Sequence, residues 1–243
     1  MSSIDPDELL LAYRIGIFPM AETRHASDVV WVRPKTRCIL PLDNFHVPKR
    51  LARTIRSDRF EVRCDTAFEM VIRECAAAGP QRDESWINHA IADAFEQLHK
   101  RGLVHSVETW DHDELVGGLY GLSIGAAFFG ESMFSLQTDA SKVALVHLAA
   151  RLKMGGYRLL DAQFPNPHLE QFGAMELSET EFDGLLADAV ASSADFYSFG
   201  TSAAGSGSPS GPSSSSAKGS NPDRSSVGSG GGASVMQVMT QTS

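Results

Sequence analysis

Val104-His-Ser-Val-Glu-Thr-Trp110, Leu115-Val-Gly-Gly-Leu-Tyr-Gly-Leu-Ser123 and Ala126-Ala-Phe-Phe-Gly-Glu-Ser-Met-Phe-Ser135 follow one another, parted only by Asp111-His-Asp-Glu114 and Ile124-Gly125. Each run suits a buried strand and each gap suits a tight turn, so the stretch predicts a three-stranded meander. Tyr157 to Gln163 reads as a fourth strand, entered from a helix that starts near Asp139 and stops at Gly155-Gly156. Helical spacing recurs elsewhere. Asp5-Pro6 with Glu8 reads as a capping box with proline at the first helical position, closed by Gly16. Pro48 opens a helix with Leu51 and Ile55 inward, Thr66 and Glu69 frame another, Ser85 precedes a third that ends at Gly102, and Ser178 with Glu181 caps the last. Helices flanking a meander predict a mixed α+β body. Residues 1–45 hold too few elements to stand alone and are expected as a small N-terminal lobe on a main domain spanning 46–198.

The composition changes after Phe199. Of the 35 residues from Gly200 to Ser234, 13 are Ser and 9 are Gly, which cannot bury enough surface to offset backbone entropy. A disordered tail is therefore expected over 199–243, with no usable pattern in Val235 to Ser243. The remainder of the 243 residues has an ordinary apolar content, 42% over the whole chain. No apolar run is long enough to span a bilayer, and Met1 to Leu11 carries acids where an export leader would carry bases. Cys38, Cys64 and Cys75 lack disulfide or zinc spacing, so a reducing cytoplasm is the expected location.

Charge is uneven. The formal net charge is -9, yet Trp31 to Arg63 holds nine basic residues (Arg33, Lys35, Arg37, Lys49, Arg50, Arg53, Arg56, Arg59, Arg63) against Asp43, Asp58 and Glu61. One basic stripe on an acidic chain suits a local polyanion contact. A solvated helix face explains it equally well.

No dinucleotide fingerprint, phosphate loop, zinc-protease helix or nucleophile elbow is present. What stands out is polarity inside strands that otherwise read as buried. Glu131 lies in Ala-Ala-Phe-Phe-Gly-Glu-Ser-Met-Phe, where a carboxylate is costly without a partner. Asp161 and Gln163, two apart in Leu160-Asp-Ala-Gln163, share a face of a regular strand with Cβ atoms roughly 6.5–7 Å apart. A carboxylate beside a carboxamide could hold an amine and a carbonyl together; a satisfied core network is the alternative.

At these residues the chain resembles a known family. Ala12-Tyr-Arg-Ile-Gly-Ile-Phe-Pro19, Leu40-Pro-Leu-Asp43, Trp86-Ile87, His105-Ser-Val-Glu108, Leu115-Val-Gly-Gly-Leu-Tyr-Gly121, Phe129-Gly-Glu-Ser-Met-Phe-Ser135, Asp139-Ala-Ser-Lys142 and Leu160-Asp-Ala-Gln163 are similar to bacterial leucyl/phenylalanyl-tRNA–protein transferase, in order and without large gaps from about Asp5 to Ala189. The resemblance implies an enzyme that moves Leu or Phe, sometimes Met, from aminoacyl-tRNA to the N-terminal Arg or Lys of a protein, creating an N-degron. It also implies an acetyltransferase-like (GNAT) main domain and no metal or organic cofactor; a monomer with no membrane partner is expected.

Carried over by position, the resemblance makes Asp161 and Gln163 the catalytic pair with Glu131 lining the same site. Leu119, Phe128 and Met133 become candidate walls of a donor side-chain pocket, and Ser135 a further substrate contact. Trp31 and Trp110 match positions that hold the terminal adenosine, where stacking is worth roughly 1–3 kcal/mol per base. Arg33, Lys35, Lys49, Arg50 and Arg53 then become the phosphate track. Two departures weaken parts of this: Trp31-Val32 replaces a tandem tryptophan, and Leu136 stands where a base often follows Phe-Ser. Other acyltransferases on the same fold, acyl-CoA- or tRNA-dependent, and a non-catalytic tRNA- or degron-binding module are the competing readings.

Overall fold

The computed structural model describes residues 3–77, 84–201 and 231–241. The elements run α1 (Pro6–Arg14), β1 (Phe18–Met20), β2 (Val30–Val32), β3 (Thr36–Ile39), α2 (Lys49–Arg56), β4 (Glu61–Cys64), α3 (Phe68–Ala76), α4 (His89–Lys100), β5 (Val104–Asp111), β6 (Glu114–Ile124) and β7 (Ala127–Ser135). They continue with α5 (Ala140–Met154), β8 (Leu159–Gln163), α6 (Pro167–Glu170), β9 (Met175–Ser178), α7 (Glu179–Ala191), α8 (Ser198–Thr201) and α9 (Gly232–Thr240). The α+β reading holds, and β5, β6 and β7 form the expected meander.

That meander is the centre of a seven-stranded sheet in the order β4-β5-β6-β7-β8-β3-β9. All neighbours are antiparallel except β7 and β8, whose parallel pairing requires the crossover supplied by α5. Side-chain alternation divides the core. Val107, Leu119, Phe128 and Leu160 face α2 and α5 on one side, while Tyr120, Phe129 and Leu159 face α1, α3, α4 and α7 on the other.

The structure adds what short strands hide. Thr36–Ile39, expected within the N-terminal lobe, is inserted in the main sheet between β8 and β9. Among the described residues, the hairpin of β1 and β2 alone forms a separate two-stranded sheet. Helix starts also shift. Asp5 caps α1 through the Asp7 N–H and not through the expected box with Glu8, and the Ser178–Glu181 capping box acts as read, but α3 starts after Ala67 without a side-chain cap, because Thr66 bonds the Glu108 carboxylate instead. Asn88, not Ser85, caps α4.

The tail expectation is corrected at its end; residues 202–230 lie outside the described set. Gly232–Thr240 is a helix laid across α2 and α5, with Val235 and Met236 buried. Its Gly232 N–H donates to the Asp58 carboxylate at 2.7 Å, and Lys153 Nζ donates to the Gln241 carbonyl at 2.7 Å. A Cβ at Gly232 would stand 1.9 Å from the Ile55 carbonyl oxygen, so glycine is what allows so close an approach. A helix this short is marginal alone. Its stability comes from the groove, which the local sequence does not reveal.

Candidate active site

β7 and β8 pair only through Ala127–Leu159, Phe128–Leu160 and Phe129–Asp161. Beyond that point both strands are irregular. In β7, Gly130 lies opposite Gly121 and Ser132 opposite Tyr120, so Glu131 is an extra, unpaired residue. In β8, Asp161 lies opposite Ile39 and Gln163 opposite Cys38, which leaves Ala162 as the extra residue, and Gln163 has a φ of 58°. Bulges re-aim side chains. These two bring Glu131 and Gln163 together: Gln163 Nε2 donates to Glu131 Oε1 at 3.2 Å.

The regular-strand geometry expected for Asp161 and Gln163 is therefore corrected, and the cause is local. Asp161 Oδ1 accepts the Gln163 backbone N–H at 2.9 Å, the two-residue capture that aspartate side chains readily make. Arg37 from β3 claims the rest of the carboxylate. Its Nε donates to Oδ1 at 2.9 Å and its Nη2 to Oδ2 at 2.5 Å, while its Nη1 donates to the Gly16 carbonyl at 2.9 Å. The guanidinium lies 4.7 Å from the Phe18 ring centre and 4.5 Å from that of Phe182. Burial pushes the Asp161 carboxyl upward, and Arg37, then the Gln163 N–H, pull it back.

Glu131 is held differently. Burial pushes its carboxyl up to about 8, with the Tyr13 hydroxyl lowering it, Asp161 raising it and Arg37 lowering it in turn. Tyr13, on α1, is fully buried, and its hydroxyl faces this carboxyl without a hydrogen bond of ordinary geometry. The arrangement joins a fixed carboxylate, a carboxamide and a near-neutral acid where the β7–β8 pairing ends. It can present a hydrogen-bond acceptor to an amine and, once Glu131 ionises, a negative charge to an ammonium.

Residues 39–187 match the family model described as leucyl/phenylalanyl-tRNA protein transferase, and residues 2–35 match the model of that protein's N-terminal domain. The chain is 59% identical over 196 residues to the leucyl/phenylalanyl-tRNA–protein transferase of Paramagnetospirillum magneticum, covering 81% of this chain and 94% of that one. It is 56% identical over 199 residues to the protein of the same name from Caulobacter vibrioides, covering 82% and 92%, and 54% identical over 195 residues to that of Nitrobacter winogradskyi, covering 80% and 87%. The chain belongs to the leucyl/phenylalanyl-tRNA protein transferase family. It is thus an aminoacyltransferase by family, and the matched region stops short of α9.

Against that family assignment, the other expected site residues fall into three groups. Leu119, Phe128 and Met133 lie together in the core on the sheet face covered by α5, opposite the face on which Asp161 meets Arg37, so the structure does not join them to Glu131 and Gln163; Leu119 and Phe128 are buried and Met133 is half-buried. Ser135, Trp31 and Trp110 are not gathered with Glu131, Asp161 and Gln163. Ser135 Oγ donates to the Gln137 carbonyl and accepts the Ser141 N–H, closing the turn into α5. Trp31 is exposed on the β1–β2 hairpin, opposite Pro19. Trp110 is buried under Arg63, whose guanidinium lies 4.6 Å from its ring centre. It pairs with Leu115, five positions along β6 from the partner of Ser132, about 17 Å at strand spacing.

The basic stripe also divides. Arg37 is in the core, Arg33 is engaged by Glu179 and Asp183, and Arg50 pairs with Asp139 at the start of α5. Lys35, Lys49, Arg53 and Arg56 are exposed and form no ion pair among the described residues. Lys49, Arg53 and Arg56 line a cavity of about 440 Å³ with His46, and α9 closes it with Met236 and Met239. Sequence reasoning misses the roles of Tyr13 and Arg37. Tyr13 appears in the sequence only as one residue of the run Ala12 to Pro19, and Arg37 as one base among nine. No local signal singles out Arg37, because the four residues of β3 are too few to mark a buried position.

Proposed function

We propose that this chain transfers Leu or Phe, and sometimes Met, from aminoacyl-tRNA to the α-amine of proteins that begin with Arg or Lys, producing an N-degron in the cytoplasm. The reading is supported by one observation, the Gln163–Glu131 contact just beyond the last paired residues of β7 and β8. The parting of two parallel strands after an antiparallel meander also supports an acetyltransferase-like (GNAT) arrangement for the main domain. Among the described residues, no helix is long and apolar enough to cross a membrane.

The ester is already activated, so the reaction is an aminolysis. The amine nitrogen bonds to the ester carbonyl carbon, the bond from that carbon to the ribose oxygen breaks, and the amine's proton ends on the ribose hydroxyl. With its Nε2 given to Glu131, Gln163 keeps its Oε1 free to accept from the incoming amine. Both Asp161 oxygens are occupied, so Asp161 acts on the amine through Gln163. Placement of this kind can supply up to roughly 7–11 kcal/mol of barrier reduction. Glu131, ionised when a cation arrives, holds the ammonium of the donor or acceptor. Lys49, Arg50 and Arg53 with Lys35 supply sequence-independent phosphate attraction.

The test is transfer from Leu-, Phe- and Met-tRNA, and from acetyl-CoA, to peptides beginning with Arg, Lys, Asp or Ala. Leu and Phe transfer to the Arg and Lys peptides is the expected result. Transfer from acetyl-CoA alone, or binding without transfer, would overturn it.

A further inference from the structure

We propose that Arg37 is a positioning residue for the transfer reaction: by gripping both oxygens of Asp161 it fixes the anion that turns the Gln163 backbone and so aims the carboxamide at Glu131. The inference rests on the activity proposed above and adds a residue to it.

Three observations lead here. The chain of contacts is continuous: Gly16 carbonyl to Arg37, Arg37 to Asp161, Asp161 to the Gln163 N–H, and Gln163 Nε2 to Glu131 Oε1. The second is strain. A non-glycine residue at φ 58° is uncommon, and the Asp161 capture of the Gln163 N–H is the contact that holds it there. The third is burial. Arg37 and Asp161 are 2% and 0% exposed, and Phe18 and Phe182 flank the guanidinium. Apolar residues could fill such a space without desolvating two charges, so packing alone does not explain the pair. A fork that holds a carboxylate in one plane does, and a lysine ammonium, as a point charge, would not reproduce it.

The same segment holds the other end of the bridge. Tyr13 on α1 faces Glu131, and Gly16, just beyond α1, accepts from Arg37. The N-terminal residues thereby set both partners of the Gln163–Glu131 contact without being placed to touch the reacting atoms.

The experiment measures single-turnover transfer from Phe-tRNA to an Arg-initiated peptide for the full chain, Arg37→Lys, Gln163→Ala and the double variant, with a melting curve for each. Arg37→Lys is expected to slow the chemical step about 100-fold, the scale of a 1 Å misplacement, with KM for the tRNA held within about threefold. In the Gln163→Ala background, Arg37→Lys should add less than about threefold, because both changes act on the same carboxamide. Independent, multiplicative losses, or a single-variant rate within about threefold of the parent, would overturn the proposal. Should Arg37→Lys fail to fold, Arg37→Met combined with Asp161→Leu fills the space without charge; it is expected to fold and to be as slow as Gln163→Ala, and a fast enzyme would refute the role. A parent chain that transfers nothing from Leu- or Phe-tRNA would sink the activity itself, a different result from any of these.

Discussion

Arg37 and Arg50 both come from the basic stripe and both pair with an aspartate more than eighty residues away, yet the two pairs do opposite work. Arg37 and Asp161 are sealed between aromatic rings, with each carboxylate oxygen assigned. Arg50 reaches Asp139 at 2.9 Å with its own side chain 73% exposed, and Asp139 also takes Lys142 at 3.2 Å. The first region is a fixed polar device inside the sheet. The second is a solvated contact between α2 and the start of α5. Equal charges in one stretch of sequence therefore say little until burial is known.

The contrast can be broken most directly by removing each arginine. Arg37→Met leaves Asp161 buried without its cation and is expected to cost about 3–5 kcal/mol, measured as unfolding free energy in urea. Arg50→Met should cost less than about 1 kcal/mol in the same assay. Similar losses for the two would erase the distinction.

Next in size is the groove beside Arg50. Deleting 231–243 uncovers the surface under Val235 and Met236, and a loss of about 2 kcal/mol is expected after the entropy of ordering a short helix is returned. Val235→Asp should reproduce most of it. An unchanged melting temperature for both would mean that α9 contributes nothing, as the composition of the tail alone suggests.

Acid titration sharpens the comparison from the side of Glu131. The Glu131 carboxyl is raised on folding from an ordinary 4.5 to about 8, so its stabilising share is complete below the lower value and is lost as pH rises through the upper one. Glu131→Gln should flatten that decline in denaturation curves taken from about pH 5 to about pH 9. It should also abolish a proton release on binding a Phe-adenosine amide, visible as a buffer-dependent heat. A parent decline retained by the variant would assign the titration elsewhere.

The smallest stability effect is expected at the cavity bases. Lys49, Arg53 and Arg56 changed together to Gln should leave stability within about 0.5 kcal/mol, yet lower the salt slope of tRNA binding by about 2–3. An unchanged slope would place the phosphates on another surface.

Long strands and long helices were legible because periodicity needs length. The meander and α5 are plain in the sequence, whereas the four residues each of β3, β4 and β9 offer too few alternations to register. The site was half legible. Glu131, Asp161 and Gln163 announce themselves as polar residues in apolar runs, and the structure joins them. Their partners do not, since Tyr13 looks like core and Arg37 looks like surface. The bulges were hidden for a further reason: each depends on cross-strand register, which no local window contains. The same holds for α9, whose apolar positions acquire meaning only against α2 and α5.

The unpaired position in β7 has one more implication. On either side of Glu131 the ladder with β6 is regular, and the two halves differ in register by just this residue. Excising Glu131 from the gene would let the halves zip into an unbroken ribbon, with Phe129 and Ser132 still on one face and Met133 on the other. The sheet thus has no need of this carboxyl, and a one-codon deletion, gentler on the architecture than many replacements, would yield a folded scaffold stripped of its acid.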